Sequence, residues 1–235
     1  IVNLITSLKD HFNFIVICED RLPNDNKTYK NIIADKWNWI NNNSVKIIYV
    51  SPSNRGILNL KKIIDSVSCD LIFLNSFFSP FTTFPFLLLN KYQKKLKVPI
   101  VIAPRGELHD GALNHKKFKK FIYIKFLNFF NLLNGFNWLV TDNHEQSDVI
   151  KRIYNVKDVF ICADIPQDLE KLSSLDLSKP LRTKESNNMN LVYISRILRK
   201  KGLQKAVEAV IDLSKHSNGD IVFDIYGPIV DNKYW

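Results

Sequence analysis

Six short apolar runs, separated by stretches with helical periodicity, decide what this chain can fold into. The runs are FNFIVIC, VKIIYVS (45–51), DLIFLNS (70–76), VPIVIAP (98–104), FNWLVTD and KDVFICADI. Ile1, Leu4, Ile5 and Leu8 precede the first run at helical spacing, and Leu60, Ile63, Ile64 and Val67 follow the second. A helical segment follows Pro85, a long basic and aromatic one covers about 115–134, and HEQSDVIKRIY precedes the sixth run. Strands apolar at every position have no water-facing side, so both sheet faces must be covered. That pattern predicts a parallel sheet wrapped by helices, a doubly wound α/β domain.

Residues 166–189, PQDLEKLSSLDLSKPLRTKESNNM, change character. They are polar, contain Pro166 and Pro180, and read as a linker. The alternation then restarts, with a strand at 190–195, a helix at 203–215 and a strand at 220–226. The expected organisation is a first domain at 1–165 that lacks an opening strand, then the linker, then the start of a second domain at 190–235. One β-α-β unit cannot cover its own sheet, so the chain is expected to be an internal piece of a longer protein. A length of 235 residues with 46% hydrophobic content supplies a substantial core. Cys18, Cys69 and Cys162 are odd in number and form no C-x-x-C pair, which argues against a disulfide scaffold or a zinc site. Cys18 and Cys69 read as core residues. No apolar run reaches the roughly 18 residues a membrane helix needs, and the most apolar one, FFSPFTTFPFLLL, is broken by Pro80 and Pro85.

The net charge of +10 is unevenly placed. Residues 91–125 hold ten Lys/Arg against two Asp/Glu, a local balance of +8, which invites an anionic partner. The sharper concentration is LVYISRILRKKGLQKAVEA, 191–209. A strand-forming run stops, and Arg196, Arg199, Lys200 and Lys201 follow within six positions. Gly202 comes next, then Leu203, Ala206, Val207 and Val210 at helical spacing. A strand end that leads into a helix N-terminus is an anion site, because free N–H groups and the positive helix end both favour phosphate. In open parallel sheets ligands lie at the carboxyl ends of strands. The Arg196 guanidinium can hold phosphate oxygens in pairs, and Gly202 allows close backbone approach. One β-α-β step later Gly227-Pro228 reaches the same edge, small enough to leave room for a flat group such as a base. These features suit a diphosphate; an ordinary solvated basic loop is the alternative.

SRILRKKGL together with IYGP....YW resembles the donor-binding domain of GT-B glycosyltransferases of the large retaining family 4, glycosyl transferases group 1. VIAPRGELHDGAL, the lysine-rich helix after it and LVTDNHEQSDVIKRIY resemble that family's acceptor domain. The resemblance implies two Rossmann-like domains facing across a cleft, and a nucleotide diphosphate sugar as donor. It implies that Arg196 and Lys201 hold the diphosphate and stabilise charge on the leaving nucleotide, without metal or cofactor. Gly202, Gly227 and Pro228 would line the donor site. Arg105, Gly106, Glu107, His109 and Glu145 would lie on the acceptor side. Many members have histidine where this chain has Arg105. The family's glycine-rich first loop and its E-x7-E glutamates fall outside this sequence, so the 235-residue piece alone is expected to be inactive. The implied acceptor is a saccharide or lipid-linked molecule of surface-polysaccharide or glycolipid synthesis. The implied location is cytoplasmic, peripheral on the inner membrane face.

Glu145 opens a helix that Asp142 or Asn143 can cap, so dipole pairing competes with a cleft-facing role. His144 and His115 read as surface residues, His11 and His216 as solvent-facing helix ends, and no cluster has metal-ligand spacing. In KKFKKFIYIKFLNFFNLLN, Phe118, Phe121, Ile122, Phe126, Phe129 and Phe130 are expected to pack as core, with Lys125, Asn128, Asn131 and Asn134 as a polar stripe. The competing reading is a basic aromatic edge resting on an anionic membrane. Nucleic-acid binding expects cations interleaved with aromatics on an open face and a recognisable motif, and no such motif occurs. A non-catalytic relative would have no need of both Arg196 and Lys201. A dinucleotide-dependent epimerase lacks its G-x-G-x-x-G.

Overall fold

A computed structural model describes residues 2–22, 25–40, 45–93, 98–114, 116–165, 189–217 and 219–235. The chain forms two compact units, Ile1–Leu169 and Glu170–Trp235. Of the expected linker, only Met189 is among the described residues, and it opens a strand. His115 also lies outside them.

The first unit is mixed α/β. In chain order it contains α1 (Val2–Leu8), β1 (Phe14–Glu19), β2 (Trp37–Ile40), β3 (Val45–Val50), α2 (Ile57–Asp65), β4 (Ile72–Asn75), α3 (Thr83–Gln93) and β5 (Ile100–Ala103). There follow α4 (Asp110–Leu113), α5 (Lys117–Phe129), β6 (Asn137–Val140), α6 (Asn143–Arg152) and β7 (Asp158–Ile161). Each of the six apolar runs is a strand, usually with its ends trimmed. The unforeseen strand is β2, which pairs antiparallel with β3 through Trp37 opposite Ile48 and Ile40 opposite Val45.

The single continuous sheet expected from the alternation is instead two hydrogen-bonded sheets. One has the order β1-β3-β2, the other β4-β5-β6-β7 with every neighbour parallel. Among the described residues β1 has no partner on the side away from β3, and β4 none on the side away from β5. The two sheets still share a core, since Ile17 of β1 packs against both hydrophobic clusters. In the larger cluster Leu74, Ile102 and Trp138 from the strands meet Leu87 of α3, Leu127 of α5 and Val149 of α6. Short strands carry little ladder of their own, so this burial at about 25 cal/mol per Å² holds the layers together.

Helix α5 corrects one expectation. Phe118, Phe121, Ile122, Phe129 and Phe130 are not core; they are 75%, 57%, 50%, 79% and 45% exposed, and Phe126 is only partly covered. The buried side is Leu127 and Asn128, with Tyr123 and Ile124 partly buried beside them. Asn128, expected in a polar stripe, is buried because its amide donates to the Arg152 carbonyl (2.8 Å) and accepts from the Tyr154 N–H (3.1 Å). The helix is therefore apolar on two opposite sides, and only one of them meets the sheet.

The second unit contains β8 (Met189–Ile194), α7 (Leu203–His216) and β9 (Ile221–Tyr226). β8 and β9 pair in parallel, Met189 opposite Ile221 through Ile194 opposite Tyr226.

Candidate functional site

In the first unit the loops leaving the carboxyl ends of β4, β5, β6 and β7 are tied together by side chains reaching from one to the next. Glu107, from the loop after β5, accepts at one carboxylate oxygen from the Ser76 hydroxyl (2.9 Å). At the other it accepts from the Phe77 and Phe78 N–H groups (2.6 and 3.1 Å), all in the loop after β4. Glu145, in the first turn of α6, returns toward β5. Its carboxylate accepts from the Gly106 N–H, and from the N–H and hydroxyl of Thr141 at 2.7 and 2.9 Å. Asp142 caps α6 by accepting the Glu145 N–H at 2.8 Å, and that bond holds the Asp142 carboxyl below its usual range. Arg105 reaches both ways, donating to Asn75 at the end of β4 (3.1 Å) and to Asp164 after β7.

The loops carry backbone strain. Arg105 has φ +53° and Ser76 φ +124°, regions that non-glycine residues seldom occupy. Such outliers persist where surrounding bonds over-determine them, and they concentrate at sites that act on something. Beside them the His109 imidazole Nδ1 meets Asp148, which also pairs with Arg152, and Arg152 bridges on to Asp110. Tyr123 of α5 donates its hydroxyl to the Phe77 carbonyl at 3.1 Å. Burial pushes that hydroxyl's pKa up, and the charge on Glu107 adds to the shift.

Of the acceptor-side residues expected from the sequence, Arg105, Gly106, Glu107 and Glu145 therefore meet at one rim, and His109 stands beside it in a charged cluster. Both glutamates accept hydrogen bonds from donors of neighbouring loops. Glu145 sits in the first turn of α6, is 2% exposed and is bonded across to the neighbouring loop. Glu145→Gln replaces one acceptor oxygen by an amide that faces an N–H. A loss of about 2 kcal/mol is expected, read as a lower unfolding midpoint with faster hydrogen exchange at Gly106 and Thr141. Sequence reasoning missed Asn75, Ser76, Thr141 and Asp164. Their common signal is a polar residue at the last position of an apolar strand or within three positions after it.

In the second unit Arg196 follows β8, a short 3-10 turn spans Arg199–Lys201, and Gly202 enters α7 with a left-handed φ of +72°. Arg196, Arg199, Lys200 and Lys201 are all exposed, and none forms an ion pair with a described residue. Tyr193 donates its hydroxyl to the Lys201 carbonyl (3.0 Å), which fixes the turn against β8. The Tyr234 hydroxyl accepts the Gln204 N–H in the first turn of α7 (2.8 Å), and the Arg199 guanidinium lies 5.8 Å from the Tyr234 ring centre. The loop after β9 closes on the loop after β8, with the Ile197 N–H on the Pro228 carbonyl (2.9 Å) and the Val230 N–H on the Ile197 carbonyl (3.1 Å). Gly227 has φ +149°, and a Cβ there would sit 1.8 Å from the Ser195 carbonyl oxygen. Its smallness is thus required by the protein's own backbone, a reason the sequence did not display. The five residues expected on the donor side, Arg196, Lys201, Gly202, Gly227 and Pro228, lie in the loops at the carboxyl ends of β8 and β9.

Among the described residues no three His, Cys, Asp or Glu side chains gather as a metal site, and no helix is long and apolar enough to cross a membrane. Comparison of the chain with protein-family models, with curated proteins and with solved structures gave no match.

Proposed function

We propose that this chain belongs to a retaining, metal-independent glycosyltransferase. The enzyme moves a sugar from a nucleotide diphosphate sugar to a saccharide or lipid-linked acceptor, in surface-polysaccharide or glycolipid synthesis. The observation that carries the reading is the loop between β8 and α7. Four exposed cations within six residues, none paired with a described carboxylate, stand at the carboxyl end of a parallel strand. Like charges so close repel one another, and a bound diphosphate removes that cost. In this reading Arg196 and Lys201 hold the diphosphate, and their charge stabilises the negative charge that grows on the leaving nucleotide as the sugar bond breaks. Gly202 lets the backbone approach the phosphates. Gly227 and Pro228 border the base. The rim of Arg105, Gly106, Glu107, His109 and Glu145 frames the acceptor. The donor is made in the cytoplasm, so the enzyme works there, and nucleic acid is not its partner.

The test uses protein expressed from its full reading frame and a panel of nucleotide diphosphate sugars, with release of nucleoside diphosphate as the readout. Turnover of one donor is expected, and it should persist in EDTA. Turnover abolished by chelation and restored by manganese would remove the assignment, as would no turnover with any donor and acceptor pair.

A further inference from the structure

The face of the β1-β3-β2 sheet that meets α2 carries a polar cavity beside two tryptophans. Asn59, Lys62 and Ser66 recur at helical spacing and share one side of α2 and its C-cap. With Asp35, Asn54 and Ile48 they line a cavity of about 220 Å³. Buried Ile48 of β3 supplies its apolar part. In β2, Trp37 stands opposite Ile48 and Trp39 opposite Lys46, so both indoles lie on the Ile48 side of the sheet. Trp37 packs against the cluster that holds Ile48. Trp39 follows about 7 Å farther along the strand and is 57% exposed. The Lys46 ammonium lies 4.5 Å from the Trp37 ring centre and 5.6 Å from that of Trp39, and holds both rings. The polar lining is also held. The Asp35 carboxylate accepts the Ser51 N–H (2.9 Å), and Asn59 donates its amide to the Asn54 carbonyl (2.8 Å), which leaves its own side-chain oxygen as an acceptor. None of these residues belongs to the rim after β4–β7.

We infer that this groove binds a neutral saccharide chain, with one ring in the cavity and the next against Trp39. Three observations select that chemistry. The cavity is smaller than the roughly 300 Å³ or more of a drug-sized ligand's pocket, which suits a single ring. Its lining mixes side-chain amides, a hydroxyl, one carboxylate and one ammonium, donors and acceptors that match sugar hydroxyls. Asp35 and Lys62 carry opposite charges and form no ion pair with each other, so the lining as a whole favours neither an anion nor a cation. The third is the tryptophan pair. A sugar ring presents a face of C–H groups with slight positive charge, and an indole presents a negative π-face to receive it. Lys46 already supplies a cation to both rings, so a cationic ligand gains little there. The inference stands on these residues and holds whether or not the chain takes part in sugar transfer.

The test is isothermal titration calorimetry of the full chain with maltohexaose, cellohexaose and chitohexaose, and with adenosine as a flat ligand that is not a sugar. Wild type should bind at least one of the oligosaccharides, and high salt should leave the affinity unchanged, since no net charge is paired. Trp39→Ala should weaken that binding about tenfold or more, and Trp39→Phe should restore part of it by returning a π-face. Asn59→Ala, which removes an acceptor from the cavity, should weaken it about fivefold. Trp39 is exposed, and an unchanged circular dichroism spectrum and unfolding midpoint would show that the fold is kept. No binding of any of the three oligosaccharides overturns the inference. Affinity kept in Trp39→Ala also overturns it, because the sugar then sits elsewhere on the protein. Binding of adenosine, lost in Trp39→Ala, by protein that binds none of the oligosaccharides overturns it in favour of a base.

Discussion

If the proposed function holds, alanine at Arg196 or at Lys201 is expected to lower nucleotide-sugar turnover by about a hundredfold, whereas alanine at Lys200 is expected to change it only a few-fold. Loss of one preorganised cation facing a developing phosphate charge costs on the order of 3 kcal/mol, which is about two powers of ten in rate. The comparison is sharp because Arg196, Lys200 and Lys201 are all exposed and unpaired among the described residues, so none supports the fold through an ion pair. Any difference between them comes from the ligand. The measurement is steady-state kcat/KM in the full-length enzyme, with unfolding curves for each variant. Equal and mild effects at the three positions would return the loop to a solvated basic turn.

Gly227→Ala is expected to cost about 4 kcal/mol in the second unit, drawn from overpacking and backbone strain together. The added methyl would meet the Ser195 carbonyl at 1.8 Å, and a main-chain atom cannot rotate away as a side chain can. The φ of +149° is also one that alanine seldom adopts. Relief requires the loops after β8 and β9 to part, which breaks the Ile197 N–H bond to the Pro228 carbonyl. Hydrogen exchange reads this directly: amides of β8 and β9 should lose protection while those of β4–β7 keep theirs. Protection unchanged in β8 would show that the loops separate without cost.

The strands were legible because a run apolar at every position has few places to go. β2 was not, since Trp37-Asn38-Trp39-Ile40 is short and its neighbours are polar. The division into two sheets was not legible either, because strand pairing is a long-range choice that the same apolar runs allow in several ways. Helix α5 was placed with the wrong face inward. Aromatic residues surround it, so periodicity points in no single direction, and the buried amide of Asn128 reads from sequence as an outward one. For the rim, the residue types were visible and their partners were not. Glu107 and Glu145 read from the sequence as acceptor-side residues, with a first-turn dipole role as the alternative for Glu145. What engages them is the backbone N–H of Phe77, Phe78, Gly106 and Thr141, and an N–H carries no signature of its own.

The carboxylate ties between those loops bear on the thermodynamics of binding. A site made of independent loops must freeze them when its ligand arrives, at roughly 1–2 kcal/mol of backbone entropy for each residue ordered. Here Glu107 joins the β4 and β5 loops, Glu145 joins β5 to β6, and Arg105 joins β4 and β5 to β7. These bonds order the loops through the protein's own groups. A molecule arriving at this rim therefore meets a fixed template, and association should follow a single concentration-dependent phase with no slower rearrangement behind it.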